Sequence, residues 1–397
     1  MKARQIALMC LSTLGIAISW YGYVHFFDTS RPLVVLSGVS HDHYYGGEVP
    51  CLLTTDKAGI VSIWLDNKPL VQDFAMRAKV REYPFIIPTQ TLAEGNHHLK
   101  AIFHDTTYNR NTAMVECDFF VDNTPLRAAF VKPDPLYKVL QGRTLHVQLQ
   151  TNKPIKSASI HALSKTYGCY PEAKDSLIYE CYMPIACEEQ PNEYLLSVDV
   201  TDHVNNVVHL DHKLQVVMFP FKKQAIVVDQ ERVKQAQEEG PGEREFESLI
   251  ERLSYASPQE KMWRGAFCAP TDIQRVTCDF GTMRTTQHKG RYAHKALDVI
   301  NTPKSVVWAP QDGIVVVKDR FAASGNTVVI DHGCGIFSMV FHLDSFADIN
   351  LGDKVVQGNP LGKLGQTGYA TGPHLHWEMR IHNVPVDPME WTRSTPL

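Results

Sequence analysis

The chain has 397 residues, of which 44% are hydrophobic and 21% charged, as is ordinary for globular protein. This length suggests roughly two to four domains. The formal net charge of −4 provides no strongly basic surface, so nucleic acid is excluded as an expected partner.

The N-terminal end carries a long uncharged run behind two basic residues. Lys2 and Arg4 precede a stretch from Ile6 to Phe27 that lacks Asp, Glu, Lys and Arg. At about 1.5 Å per residue, a helix of this length crosses a hydrocarbon core of about 30 Å. We therefore predict that residues 1–31 form a cytoplasmic tip and a transmembrane anchor, with the span at about residues 6–27.

The basic residues before the run place the N-terminus in the cytoplasm. The expected location is the cell inner membrane, crossed once, with the bulk of the chain on the periplasmic or extracytoplasmic side. A cleaved signal peptide is the alternative, because Ala17–Ser19 could serve as a small-residue cleavage site. Both interpretations export most of the chain.

Nine cysteines are compatible with an exported protein. An oxidising compartment would allow pairs within one segment, such as Cys51 with Cys117, but the sequence does not determine the pairing. Zinc binding by the cysteines is disfavoured because no C-x2-C spacing occurs.

The stretch from residue 32 to residue 219 has a strand-like pattern. Short alternating runs such as residues 61–65 and 145–149 are separated by turn residues. Twice, an alternating run ends in an Asp that is followed four residues later by Asn. This pattern resembles the late strands of bacterial immunoglobulin-like modules, and residues 122–125 (DNTP) resemble the linker between them. We predict two immunoglobulin-like β-sandwiches, at 32–125 and 126–219; one larger β domain is the alternative.

Residues 220–262 change in character and are interpreted as a helical linker. Residues 230–239 favour a solvated helix, and the Gly-Pro-Gly at 240–242 ends it. From Glu243 to Tyr255 the pattern predicts an amphipathic helix, whose apolar face holds Phe246, Leu249, Ile250 and Leu253. A spacer is the simpler interpretation, and docking onto a partner is the alternative.

Three short motifs follow in the last third of the chain: residues 294–298 (HKALD), 341–343 (FHL) and 372–378 (GPHLHWE). On a strand, His374 and His376 would point to the same face. His294, Asp298 and His376 would supply two imidazoles and a carboxylate, and a catalytic zinc needs about three such ligands and an open position for water.

No H-E-x-x-H helix is present to provide a glutamate base. A histidine is the obvious replacement, because its ordinary pKa lies near the working pH. His342 and His374 are the candidates for this role.

The order H-x3-D, H-L, H-x-H resembles that of the lysostaphin-like (LytM-type) zinc endopeptidases. Residues 279–284, 325–333, 352–355 and 365–376 also resemble segments of that family, and the likeness covers residues 263–397. The resemblance implies an antiparallel β domain with a narrow groove over one zinc ion. It also implies His294, Asp298 and His376 as the metal ligands, and His342 and His374 as the catalytic residues.

Two departures from the family pattern stand out. Ala296 replaces a common glycine, which could narrow the groove. One extra residue lies between Gly281 and Arg284, and we expect that insertion to touch no proposed ligand.

The resemblance also implies bacterial cell-wall peptides as the substrate. Together with it, these features predict a mainly β protein that acts as a membrane-anchored zinc metalloendopeptidase on peptidoglycan cross-links or stem peptides. The alternatives are a non-catalytic regulator of other wall hydrolases and an enzyme that cleaves other proteins. A regulatory protein partner could bind through the β modules or the linker.

Overall fold

The computed structural model describes residues 13–23, 28–77, 80–132, 134–225, 231, 242–286 and 290–393. The described chain is mainly β, as predicted. Its helices cover residues 13–22 (α1) and Glu243–Ala256 (α2), and short 3-10 turns cover Thr89–Thr91 and Pro388–Thr392. Contacts divide the chain into two compact units, residues 1–125 with 203–206, and residues 126–202 with 207–397. The predicted domain limits stay predictions.

The predicted membrane span lies partly outside the described residues. Of residues 6–27, the structure describes only 13–23. Within the described part of the chain, no helix combines the length and the apolar character that crossing a membrane requires.

The first unit consists of two mainly antiparallel sheets that pack around one hydrophobic core. One sheet has the order β1-β3-β6 and the other the order β2-β8-β7-β4-β5. Alternation along β7 buries Leu99, Ala101 and Phe103, as a strand with one covered face requires. The strands are β1 (Val34–Ser37), β2 (Tyr44–Tyr45), β3 (Glu48–Thr55), β4 (Gly59–Leu65), β5 (Lys68–Met76), β6 (Glu82–Pro88), β7 (Gly95–Asp105) and β8 (Thr112–Val121).

The second unit begins with eight strands, which are β9 (Ala128–Phe130), β10 (Tyr137–Leu140), β11 (Thr144–Thr151), β12 (Ser157–Ala162), β13 (Lys165–Pro171), β14 (Ile178–Pro184), β15 (Glu193–Thr201) and β16 (Val207–Val217). They form one continuous order, β10-β16-β15-β12-β13-β14-β11-β9. The continuity arises at β13, because its first part pairs with β12 and its last two residues pair with β14. The immunoglobulin-like sandwich predicted for this stretch is not confirmed.

The remaining strands are β17 (Lys223–Ala225), β18 (Arg275–Cys278), β19 (Met283–Thr286), β20 (Gly290–Ala293), β21 (Leu297–Ile300), β22 (Val306–Trp308), β23 (Gly313–Phe321), β24 (Gly325–Asp331), β25 (Ile336–Leu343), β26 (Ser345–Phe346), β27 (Lys354–Val355), β28 (Pro360–Lys363), β29 (Leu375–Ile381) and β30 (Val384–Val386). The main sheet has the order β18-β21-β29-β25-β24-β23-β27, with β30 beside β29. Smaller sheets have the orders β22-β28-β26 and β17-β19-β20.

Helix α2 confirms the predicted amphipathic helix but does not act as a free spacer. Phe246 and Ile250 are buried, and they pack in one cluster with residues of β23 to β25, including Phe321 and Phe341. The apolar face is therefore covered by the main sheet of the same unit. The helix predicted over residues 230–239 lies outside the described residues, apart from residue 231.

The described cysteines are all free thiols. Eight are described, and none forms a disulfide. Cys51 and Cys117, which an oxidising compartment would allow to pair, lie unbridged in the core of the first unit.

Candidate metal centre

Strand pairing places Asp298 beside His376. Strands β21 and β29 are antiparallel, and Asp298 lies directly opposite His376 in their register. Directly opposite residues project to the same face of a sheet, so the two side chains meet. The Asp298 Oδ1 atom lies 2.8 Å from His376 Nδ1.

His294 completes the set of three predicted ligands. It follows β20, and its Nε2 atom lies 3.2 Å from the other carboxylate oxygen of Asp298, Oδ2. This Nε2 atom is buried, and apart from the ion-pair contact with Asp298 it forms no hydrogen bond of regular geometry. A buried nitrogen without a well-formed hydrogen bond is costly unless something else binds it. The three side chains therefore fit a bound cation, and two imidazoles with one carboxylate suit zinc.

The charges in this cluster are strongly coupled. Burial alone would raise the pKa of Asp298, but His376 and His294 outweigh it and hold that pKa well below its usual range. Burial lowers the pKa of His376, yet the Asp298 carboxylate prevails and raises it to about 9. The carboxylate is consequently ionised and available to a cation.

His342 and His374 lie beside the three ligands, with their ring centroids 4.7 Å apart. His342 Nδ1 donates to the carbonyl oxygen of Thr367, and His374 Nδ1 donates to that of Gly372, each at 2.8 Å. In a neutral ring, a protonated Nδ1 leaves Nε2 as a proton acceptor. His374 Nε2 lies 3.9 Å from Asp298 Oδ1, on the side of the proposed ligands.

The backbone at His342 has an unusual conformation. Its φ is +62°, which non-glycine residues rarely adopt, and it lies where the pairing of β24 with β25 shifts register. Such bulges redirect side chains and are frequent beside active sites. Burial, together with the imidazoles of His374 and His376, lowers the pKa of His342 to about 3. This ring is therefore neutral near pH 7.

A chain of hydrogen bonds holds the His376 ring at Nε2, the ring nitrogen that does not face Asp298. Its Nε2 atom donates to Glu378 Oε1 at 3.0 Å, and Glu378 Oε2 accepts from Arg380 Nε at 2.7 Å. Arg380 also donates to both carboxylate oxygens of Glu247 on α2, at 2.6 and 3.2 Å. No sequence signal pointed to Glu247, which lies 133 positions before Arg380.

Two further residues, which the sequence analysis did not predict, contact the cluster. Arg284, which directly follows the extra residue, donates from Nη2 to Asp298 Oδ2 at 3.2 Å. Cys278 lies opposite Asp298 in the pairing of β18 with β21. No C-x2-C spacing marks this cysteine in the sequence.

The five predicted residues border one cavity of about 900 Å³. Helix α2 and residues 186–188 of the second unit also contribute to its lining. Ala296 is fully buried and does not line this cavity, so its methyl group does not narrow the space.

Comparisons with known proteins find similarity in the C-terminal part of the chain. The model of peptidase family M23 matches residues 292–388. Over 128 residues the chain is 34% identical to the DD-carboxypeptidase/endopeptidase Mpg of Neisseria meningitidis, covering 32% of this chain and 29% of that protein. Over 121 residues it is 32% identical to the peptidoglycan DD-endopeptidase ShyC of Vibrio cholerae, covering 30% and 28%.

Both alignments thus span less than a third of the relative's length. Among solved structures, the catalytic domain of lysostaphin from Staphylococcus simulans overlaps 31% of this chain and 98% of its own, at 22% identity and a TM-score of 0.27. The matched family segment contains His294, Asp298, His342, His374 and His376. The C-terminal part of this chain is therefore a peptidase M23 domain.

Proposed function

We propose that this chain is a zinc metalloendopeptidase that hydrolyses peptide bonds of peptidoglycan, in cross-links or stem peptides. The observation that carries the proposal is the convergence of His294, Asp298 and His376, with two further histidines beside them. The names of the relatives support the substrate class, since ShyC is described as a peptidoglycan endopeptidase.

His294, Asp298 and His376 would hold the zinc ion. When bound, zinc supplies Lewis acidity, which acidifies water and polarises a peptide carbonyl. The ionised Asp298 compensates part of the metal charge, and the two imidazoles bind as neutral donors. Glu378 fixes the orientation of the His376 ring through Nε2.

His342 and His374 would bind the attacking water and transfer its proton. Their carbonyl partners hold Nδ1 protonated, which leaves each Nε2 as a hydrogen-bond acceptor for the attacking water. The low pKa of His342 suits it to orienting the water, and His374 would take the proton. A ring that has accepted this proton can donate it to the leaving amine. The rings can also hydrogen-bond the oxygen on which negative charge develops.

The function can be tested with purified sacculi and the full-length chain. We expect zinc-dependent release of soluble fragments whose new termini, read by mass spectrometry, identify the bond. Asp298→Asn should abolish release, whereas His209→Ala, at an exposed histidine of β16, should leave it unchanged. Intact sacculi after incubation with the zinc-loaded chain would contradict the proposal and favour a regulatory role.

We also propose that the protein works outside the cytoplasm, tethered to the inner membrane by its N-terminal run. The uncharged stretch from Ile6 to Phe27 supports this location, as does the proposed substrate. A membrane-impermeant protease should digest the chain in spheroplasts, and full protection would contradict the proposed location.

A further inference from the structure

Cys278 occupies a position from which its sulfur faces the metal centre. It is the last residue of β18 and is paired with Asp298 on β21, so both side chains project to the same face of the sheet. Cys278 is half-buried and borders the same cavity as the proposed ligands.

The distances are those of a possible ligand set. The Sγ atom of Cys278, a ring nitrogen of His294 and a carboxylate oxygen of Asp298 all lie within 4.8 Å of one another. Ligand atoms of a tetrahedral zinc lie roughly 3.5 Å apart, because the zinc–ligand bonds are about 2.0–2.3 Å long. The three atoms are therefore at most about 1.3 Å further apart than the ligand atoms of one zinc ion. His376 adjoins the same group through Asp298, whose Oδ1 lies 2.8 Å from its Nδ1.

A second observation points to the same place. His294 Nε2 is buried and forms no hydrogen bond of regular geometry, although Asp298 Oδ2 lies 3.2 Å away, and a cation between the two atoms would satisfy both. Cys268 provides a contrast within the same domain. It is also half-buried, and its Sγ atom donates to a carbonyl oxygen as that of Cys278 does, but it is not part of the cluster.

We infer that Cys278 supplies a thiolate as a fourth protein ligand, beside His294, Asp298 and His376, and that the resting metal centre is closed. The inference rests on the proposed function for the presence of zinc at this site. On coordination the S–H bond breaks, the proton passes to solvent, and a sulfur lone pair is shared with the metal. No electron is transferred.

Such a centre differs from an open catalytic site. Four protein ligands satisfy a tetrahedral zinc, as in structural sites, and leave no position for water. The second negative ligand also makes the centre neutral overall, which weakens its Lewis acidity. Hydrolysis then requires Cys278 to leave the metal, so removal of its sulfur should accelerate the reaction.

The test uses the full-length chain loaded with Co²⁺, which reports thiolate ligands by a sulfur-to-metal absorption band in the near ultraviolet. We expect this band in the wild-type protein and in Cys268→Ser, and its loss in Cys278→Ser. With Zn²⁺ bound, alkylation of Cys278 by iodoacetamide should slow at least tenfold, whereas alkylation of Cys268 should not change.

The outcomes separate this inference from the proposed function. A cobalt protein without the sulfur band, whose Cys278 is alkylated equally with and without zinc, would overturn the fourth ligand even if sacculi are digested. A band that depends on Cys278, with no digestion by either wild type or Cys278→Ser, would overturn the proposed function and keep the ligand. Hydrolysis by Cys278→Ser that is no faster than wild type would overturn the closed resting centre.

Discussion

At the scale of single residues, the two candidate catalytic histidines differ in their surroundings. His342 is buried, and its backbone N–H donates to Ser324 while its ring donates to Thr367. Gly325 permits this arrangement, because a Cβ atom there would lie 2.4 Å from Thr367. His374 is half-buried and borders the cavity. Both rings are held by carbonyl groups outside the three proposed ligands.

This arrangement predicts that His342→Ala and His374→Ala separate catalysis from metal binding. Each variant should retain one zinc per chain, since neither ring is among the three ligands. Each should hydrolyse sacculi about 10²- to 10⁴-fold more slowly, as expected for the loss of a positioned acid–base group. Metal analysis and initial rates check this, and a variant with full activity would refute the role of its histidine.

At the scale of elements, helix α2 is connected to the metal centre by charge as well as by packing. Glu247 binds Arg380, and it also accepts from Lys295 at 2.7 Å, next to His294 in sequence. Arg380 is 1% exposed, so its guanidinium depends on Glu378 and Glu247 for compensation. The helix thereby contributes to the orientation of His376.

We therefore expect Glu247→Gln to weaken zinc binding by about tenfold. This is the low end of the roughly 10- to 100-fold loss that follows removal of a direct partner of a metal ligand, because Glu247 acts through Arg380 and Glu378. Competition with a chromophoric chelator measures the change. Glu251→Gln, at an exposed position one turn later on α2, is the matched control, and Glu247→Asp should restore part of the affinity. Equal zinc affinities for Glu247→Gln and Glu251→Gln would contradict the connection.

The sequence was most informative where local periodicity and motif order determine geometry. Period-two alternation predicted the strand that holds His376, with His374 directly before its first residue, and the apolar spacing predicted α2. The partners of α2 were not predictable, because Glu247 and Arg380 are far apart in the chain and their pairing depends on how the helix packs. The sequence also did not predict that β9 to β16 form one continuous strand order. Alternating patterns identify strands, but they do not show which strands pair with each other.

At the scale of the whole second unit, the peptidase domain shares an interface with the strands that precede it. Tyr182 on β14 packs against Trp263 and Trp391, each with ring centroids 5.5 Å apart. The backbone N–H of Thr144 donates to Glu390 Oε2 at 2.9 Å. These contacts join the β strands of residues 126–219 to the domain that holds the metal site.

Glu390 should make this interface sensitive to pH. Burial raises its pKa to about 7, from 4.5 for an ordinary glutamate. The folded state then binds a proton more tightly than the unfolded state does, so the associated stability is complete below about pH 4.5 and is lost as the pH rises to about 7. At about 1.4 kcal/mol per pKa unit, the loss is up to about 3 kcal/mol.

Glu390→Gln keeps an acceptor for Thr144 and removes the charge. The variant should match wild type at pH 5 and unfold at a higher denaturant concentration at pH 8, followed by tryptophan fluorescence. Glu172→Gln, at an exposed glutamate of the same unit, should match wild type at both pH values. A Glu390→Gln variant that is no more stable than wild type at pH 8 would contradict the assignment.

The central claim is that His294, Asp298 and His376 share one zinc ion, and anomalous X-ray diffraction at the zinc absorption edge tests it most directly. For crystals grown without chelator, we predict one strong peak at about 2.0–2.2 Å from His294 Nε2, His376 Nδ1 and an Asp298 oxygen. No peak at this position in zinc-supplemented crystals, or a peak bound by other residues while these three side chains are turned apart, would contradict it.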